Sequence, residues 1–471
     1  LLLCLPRIMS KAALDIREQY RSRSQRKIPR FCLSEYSQCG LASVFCISIA
    51  TQIMDFNLYT IFTILIVLTA TFSYINFRFF KLPTTIGVML ISLIMSVVVA
   101  VMGRFYPRLV EKPISVINSL DFETLLMRIM LSFLLFAGAI HIDIKKLKKE
   151  IVFIAAYATV GVVLSSAIVG AMMFFVFQLF GLSLPFIYCI LFGALISPTD
   201  PIAVLGILKE AKIPASLEIK IAGESLFNDG VGVVVFVAVL EIAIMGTDKL
   251  SFGQVSLLFL KEAGGGILWG LFLGYVGYYL LKSIDNYQVE VLITIALVMG
   301  GYLFASDIHV SGPLAMVVAG IIIGNQGKQE AMSDVTRDYL TKFWTLIDEI
   351  LNALLFMLIG LEMIVISFNP KIVWIGIIAI VVVLFARFVS VFVPTLLLSF
   401  RRSVEKGMIP ILTWGGLRGG ISVALALSLP RGENRDILVA ITYLVVVFSI
   451  VIQGLTIGKL AKKLTGPDGR K

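Results

Sequence analysis

Apolar runs long enough to cross a bilayer, which takes roughly 20 residues as a helix, recur along almost the whole of this chain. Backbone inside hydrocarbon must satisfy its own hydrogen bonds, so such runs fold as helices. Charged residues make up 15% of the sequence and hydrophobic ones 58%, where a soluble domain carries about 25% charge. The chain reads as an all-α polytopic membrane protein. Its formal net charge of +10 calls for no nucleic acid, because membrane proteins collect Lys and Arg in their cytoplasmic loops. Cys4, Cys32, Cys39 and Cys46 lie near the start, Cys189 stands alone later in the chain, and His141 and His309 are the only histidines. With no CxxC or Cys/His cluster, zinc sites and disulfide frameworks lack support, and no cofactor is expected.

Hydropathy and helix breakers place thirteen transmembrane spans near 57–76, 84–102, 122–140, 151–179, 184–208, 216–245, 253–281, 289–305, 309–324, 345–367, 372–399, 407–429 and 436–458. An odd count puts the two ends on opposite faces. Lys145, Lys146, Lys148 and Lys149 come after span 3, Arg401, Arg402 and Lys406 after span 11, and Lys459, Lys462, Lys463, Arg470 and Lys471 close the chain. All lie on one side under this count, and the positive-inside rule makes that side cytoplasmic. The expectation is a multi-pass protein of the cell (plasma) membrane, N-terminus outside and C-terminus cytoplasmic.

Residues 1–53 differ in character from the remainder of the chain: they are rich in Arg and Ser and start without Met. They read either as a targeting segment, with basic residues ahead of the short apolar stretch "LASVFCISIA", or as upstream sequence with Met54 as the true start. The second reading is preferred, since Arg17, Arg21, Arg23, Arg26, Lys27 and Arg30 would place a basic tail outside. The expected division is a 1–53 extension, a 54–460 membrane domain and a 461–471 cytoplasmic tail.

Thirteen spans also divide as six, one and six. "SPTDP" (197–201) interrupts span 5 and "GGLRGG" (415–420) interrupts span 12, the fifth position of each half. Paired interruptions in corresponding positions point to a transporter's binding site built from two inverted six-helix repeats. Pro198 and Pro201 lack amide protons, which frees the carbonyls of Ala194 and Ser197 beside Thr199 and Asp200. Carbonyl, hydroxyl and carboxylate oxygens suit a hard cation; the plainer reading is a proline kink with a snorkelling Asp.

Span 6 carries "AGESLFNDG" within an apolar run. Intramembrane carboxylates are costly and point by default to function. Ser225 and Asp229 lie four apart and share a helix face, as do Glu224 and Asn228 on the adjacent one. Ser225 and Asp229 can thus address one small ligand; a buried structural ion-pair network is the other possibility. Arg387 sits mid-span and Arg418 in the break of span 12. Pairing Glu224 with Arg387 would leave Asp200 and Asp229 as the unpaired anions. Asp348 and Glu349 are expected at the interface, and Gly266, Gly270 and Gly274 form a small-residue stripe for close helix packing.

The segments "FGALISPTDPIAVLGIL", "AGESLFNDGVGVVVF", "IDEILNALLFMLIGLE" and "TWGGLRGGISVALALSLP" closely resemble the monovalent cation:proton antiporter family that includes sodium/proton exchangers, in its prokaryotic form. The resemblance runs from residue 57 to about 460. It implies a homodimer in which each protomer has a dimerisation domain and an ion-carrying core domain. It makes Asp229 the essential cation- and proton-binding aspartate, with Asp200, Thr199 and Ser225 as further ligands. Glu224 matches the glutamate paired with Arg387, and Asn228 before Asp229 resembles the electroneutral branch.

A single shared site with alternating access gives exchange of Na⁺ (or Li⁺) for H⁺ without ATP, and no Walker loop is present. A K⁺/H⁺ antiporter remains the nearest alternative. A cation channel would call for a repeated pore loop, and an intramembrane carboxylate-pair enzyme leaves both breaks unexplained.

Overall fold

The computed structural model describes residues 59–60, 62–106, 124–211, 213–245, 252–364, 369–400 and 404–465. The chain divides into two compact units, Leu1–Thr63 and Ile64–Lys471. Residues 1–53, the N-terminal extension, lie outside the described residues, as do Arg401, Arg402, Arg470 and Lys471.

Among the described residues, each of the thirteen expected spans falls on helix, spans 5 and 12 with a break. These are α1 (Phe62–Phe80), α2 (Thr84–Phe105), α3 (Leu125–Ile140), α4 (Ile144–Leu179), α5a (Phe186–Ile196) and α5b (Ile202–Glu210). Next come α6 (Ala215–Met245), α7 (Phe252–Lys282), α8 (Tyr287–Asp307) and α9 (Gly312–Ile322). The last are α10 (Asp334–Glu362), α11 (Pro370–Ser399), α12a (Met408–Gly415), α12b (Gly420–Leu427) and α13 (Glu433–Thr465). Among the described residues, nine helices are long and apolar enough to cross a membrane on their own, with Leu125–Ile140 and Phe186–Ile196 as shorter apolar helices.

Several helices begin outside their apolar runs because polar caps start them. The Asp143 side chain accepts from the amides of Lys145 and Lys146, so α4 opens seven residues before its expected span, at Ile144. Ser333 caps α10 through the Thr336 amide, and the charged turn Asp334–Asp338 that hydropathy leaves out is helical. Ser311 followed by Pro313, and Asn369 followed by Pro370, combine a side-chain cap with proline in the first turn.

The helices pack as two groups. In one, α7 runs along α9, α3 packs on α9 and α10, and α10 packs on α2. The contact of α7 with α9 rests on the glycine stripe. A Cβ on Gly266 would lie 2.6 Å from the Ser311 carbonyl oxygen, and one on Gly270 2.6 Å from that of Ala315. Close backbone approach of this kind is how helices associate in lipid. In the other group α4 packs on α5a and α11, α5a on α6, and α11 on α13. Large apolar side chains such as Trp374, Phe385 and Leu397 on α11 are exposed, as a lipid-facing surface requires.

Candidate functional site

The two interrupted spans meet. Between α5a and α5b the Asp200 amide donates to the Leu417 carbonyl at 2.8 Å, an isolated antiparallel bridge. Glycine permits the approach: a Cβ on Gly419 would lie 2.6 Å from an Asp200 carboxylate oxygen. Residues 197–201 of one break and 416–419 of the other thus form a single irregular crossing inside the helical bundle, which is tolerated at membrane depth when buried in protein or lining a cavity.

Span 6 docks on this crossing through side chains. Asn228 accepts from the Thr199 amide at 3.2 Å and donates through Nδ2 to Thr199 Oγ1 at 2.7 Å. Thr199 Oγ1 also shares a 3.0 Å hydrogen bond with Ser225 Oγ. Asn228, Ser225 and Thr199 are all buried. Asp229, next in sequence, is 7% exposed, and its Oδ1 is buried with no hydrogen-bond partner among the described residues.

A cavity of about 80 Å³ lies at this point between the two helix groups. Thr199, Asp200, Asp229, Asn352 of α10, Gly419 and Ser422 line it among apolar neighbours. Ser225 and Asn228 do not line it; they reach it only through Thr199. Asn352 went unnoticed in sequence because an amide one turn beyond Asp348 looks like part of an interfacial polar patch. Asp348 itself is half-buried with a buried Oδ1, whereas its neighbour Glu349 is exposed.

The cations are placed behind the cavity. Arg387 donates to both carboxylate oxygens of Glu224, through Nη1 to Oε1 and through Nη2 to Oε2 at 3.0 Å. Nε and Nη2 of the same guanidinium also donate to the Leu412 carbonyl at 3.2 and 3.0 Å, which ties α11 to α12a. Arg418 is 2% exposed and donates through Nη1 to the carbonyls of Ser197 at 2.5 Å and Pro198 at 3.1 Å. This corrects one expectation: the Ser197 carbonyl freed by Pro201 is taken by Arg418. The Ala194 carbonyl, freed by Pro198, accepts the Ser197 amide at 3.3 Å. What faces the cavity is carboxylate and side-chain oxygen, and a cation centred on the carbonyl end of α5a stabilises that helix terminus.

The sodium/hydrogen exchanger, transmembrane, family model matches residues 64–463, which takes in both breaks and span 6. The chain belongs to the sodium/hydrogen exchanger family. Among curated members of this exchanger family, the Na(+)/H(+) antiporter NhaP of Pseudomonas aeruginosa is 49% identical over 408 residues, covering 85% of this chain and 95% of that protein. The Na(+)/H(+) antiporter NhaH of Halobacillus dabanensis is 34% identical, covering 82% and 93%. In fold, this exchanger is similar to the sodium proton antiporter MjNhaP1 of Methanocaldococcus jannaschii. The TM-score is 0.66 at 20% identity, and the match covers 87% of this chain and all of that one. The protein is thus a multi-pass membrane transporter.

Proposed function

We propose that this chain exchanges Na⁺ for H⁺ at one site centred on Asp229. The carrying observation is the pair of carboxylates on one small cavity, with Asp229 Oδ1 buried and without a hydrogen-bond partner among the described residues. A buried carboxylate oxygen is tolerated when something fills its lone pairs. A proton and a cation compete for the same lone pairs, so loading one excludes the other. Asp200 adds charge, Thr199 adds a hydroxyl oxygen held by Ser225, the further ligand expected from the resemblance, and Asn228 holds the crossing in place. Alternating access to this site then couples the two fluxes. Relatives at 49% and 34% identity are named Na(+)/H(+) antiporters, which favours Na⁺ (with Li⁺) over K⁺.

Exchange is electroneutral in this proposal. Glu224 is compensated by Arg387, so the loaded site carries equal charge with Na⁺ or H⁺ on Asp229. Arg418 offsets the carbonyl end of α5a. The protein works in the cell membrane as a homodimer in lipid, with the Lys-rich segment 145–149 and the C-terminal end cytoplasmic. The deciding experiment is Asp229→Asn in proteoliposomes containing a pH-sensitive dye. The variant inserts and dimerises but shows no Na⁺- or Li⁺-driven proton flux; substantial flux would overturn the shared site.

A further inference from the structure

One face of α10 leads into the cavity. Thr341, Thr345, Asp348 and Asn352 succeed one another at intervals of four, three and four residues, which keeps them on one helical stripe. Thr345 is exposed, Asp348 half-buried and Asn352 1% exposed, so the stripe sinks from the surface into the protein. Past Asn352 the same stripe continues as Leu355 and Ile359, both buried and apolar. The polar part therefore runs only from the N-terminal end of α10 to the level of Asp229.

The members of the stripe differ in what they hold. Thr341 and Thr345 turn their hydroxyls onto the carbonyls of Arg337 and Thr341, at 2.7 and 2.8 Å. Asn352 donates through Nδ2 to the Asp348 carbonyl at 2.7 Å. That leaves Asp348 Oδ1 and Asn352 Oδ1 buried with no hydrogen-bond partner among the described residues. Asn352 lines the cavity shared by Asp200 and Asp229, and Asp348 lies one turn before it on the same face of α10. Two unfilled hard oxygens, one of them a carboxylate's, one turn apart at the edge of this cavity are suited to a partly hydrated monovalent cation.

We infer that Asp348 and Asn352 form a staging site, which holds the cation between the N-terminal end of α10 and Asp229. A single carboxylate there is weak enough to release what it attracts, as conduction through successive sites requires. This inference rests on the proposed Asp229 site and on the proposed orientation, in which the N-terminal end of α10 is cytoplasmic.

The test compares everted with right-side-out membrane vesicles, with Na⁺ as the probe and rates normalised to inserted transporter. Asp348→Asn and Asn352→Leu raise the apparent KM for Na⁺ offered at the cytoplasmic face by roughly tenfold. The apparent KM for Na⁺ offered at the other face does not move, and Asp348→Glu recovers most of the loss. Asp348→Glu and Asn352→Leu carry the test should Asp348→Asn fail to insert. An unchanged cytoplasmic KM, an equal rise at both faces, or a fall in maximal rate alone would each overturn the staging site. Failure of the underlying site is a separate result: there Asp229→Asn still exchanges, whereas an inert Asp229→Asn beside a normal Asp348→Asn rejects staging alone.

Discussion

Glu224 on α6 and Arg387 on α11 face each other as a two-point ion pair, and both side chains are buried. The pair neutralises a buried carboxylate five residues before Asp229 on the same helix. Its guanidinium is also the strut between α11 and α12a, through the Leu412 carbonyl.

Removing one partner leaves the other charge buried, at a cost of about 3–5 kcal/mol. Glu224→Ala therefore lowers the melting temperature in detergent and the exchange rate together. Arg387→Ala does the same and also strips the Leu412 carbonyl of its donors. The double variant is less destabilised than the sum of the two, which a thermal-shift double-mutant cycle measures. Additive effects would show that the two residues act separately.

Asn228 supplies both an acceptor and a donor to Thr199. Asn228→Ala orphans two buried groups of the crossing, at about 1–3 kcal/mol each, and slows exchange through loss of geometry. Asn228→Asp keeps the acceptor but introduces a carboxylate whose charge nothing offsets. Wild-type flux is flat with voltage clamped by K⁺ and valinomycin, because no net charge moves. In Asn228→Asp a voltage dependence emerges, since an uncompensated charge feels about 2.3 kcal/mol per 100 mV. A transport current in the wild type would overturn electroneutral exchange.

Gly270 tests the packing of α7 on α9. A Cβ there meets main chain, 2.6 Å from the Ala315 carbonyl oxygen and 2.9 Å from its Cα. Main chain in a packed helix yields little, so Gly270→Val is destabilising by about 1–3 kcal/mol or more. At Gly264 nothing lies within 4 Å, and Gly264→Ala is neutral or mildly stabilising. Thermal unfolding followed by size-exclusion chromatography separates the two.

Lys328 lies past the end of α9 and donates to the Ile140 carbonyl at 3.3 Å. Burial, and then the Arg337 charge, lower its amine to about 8 from the ordinary 10.5. Between those values the unfolded chain binds the proton more readily, so this group's contribution to stability rises with pH from about 8 to 10.5. Below pH 8 both states carry the proton and the contribution is flat at its lower level. Lys328→Met removes this rise, and the gap in melting temperature between pH 7.5 and pH 10 narrows relative to wild type.

The spans and their order were open to inference, because hydrocarbon imposes length and composition on every helix that crosses it. So was a partnership between Glu224 and Arg387, since a mid-span arginine must be neutralised. The start of α10 was not, because a charged first turn carries no hydropathy signal even when Ser333 caps it. The partner of the Ser197 carbonyl was hidden as well: Arg418 is 221 residues away in sequence, and a proline only announces that a carbonyl is free. Asn352 was not singled out at all, because burial along a helix face depends on what packs against it.

The contact that joins the two halves at Asp200 and Leu417 is made by main chain on both sides. Its information content is carried by peptide planes and by the missing side chain of Gly419, not by the lettering of the residue that supplies the carbonyl. Leu417 is therefore free to vary as long as another apolar residue can fill its place, whereas Gly419 is not. Residue-by-residue identity thus undercounts what such a crossing preserves, and divergent chains can share its geometry after most of their side chains have changed.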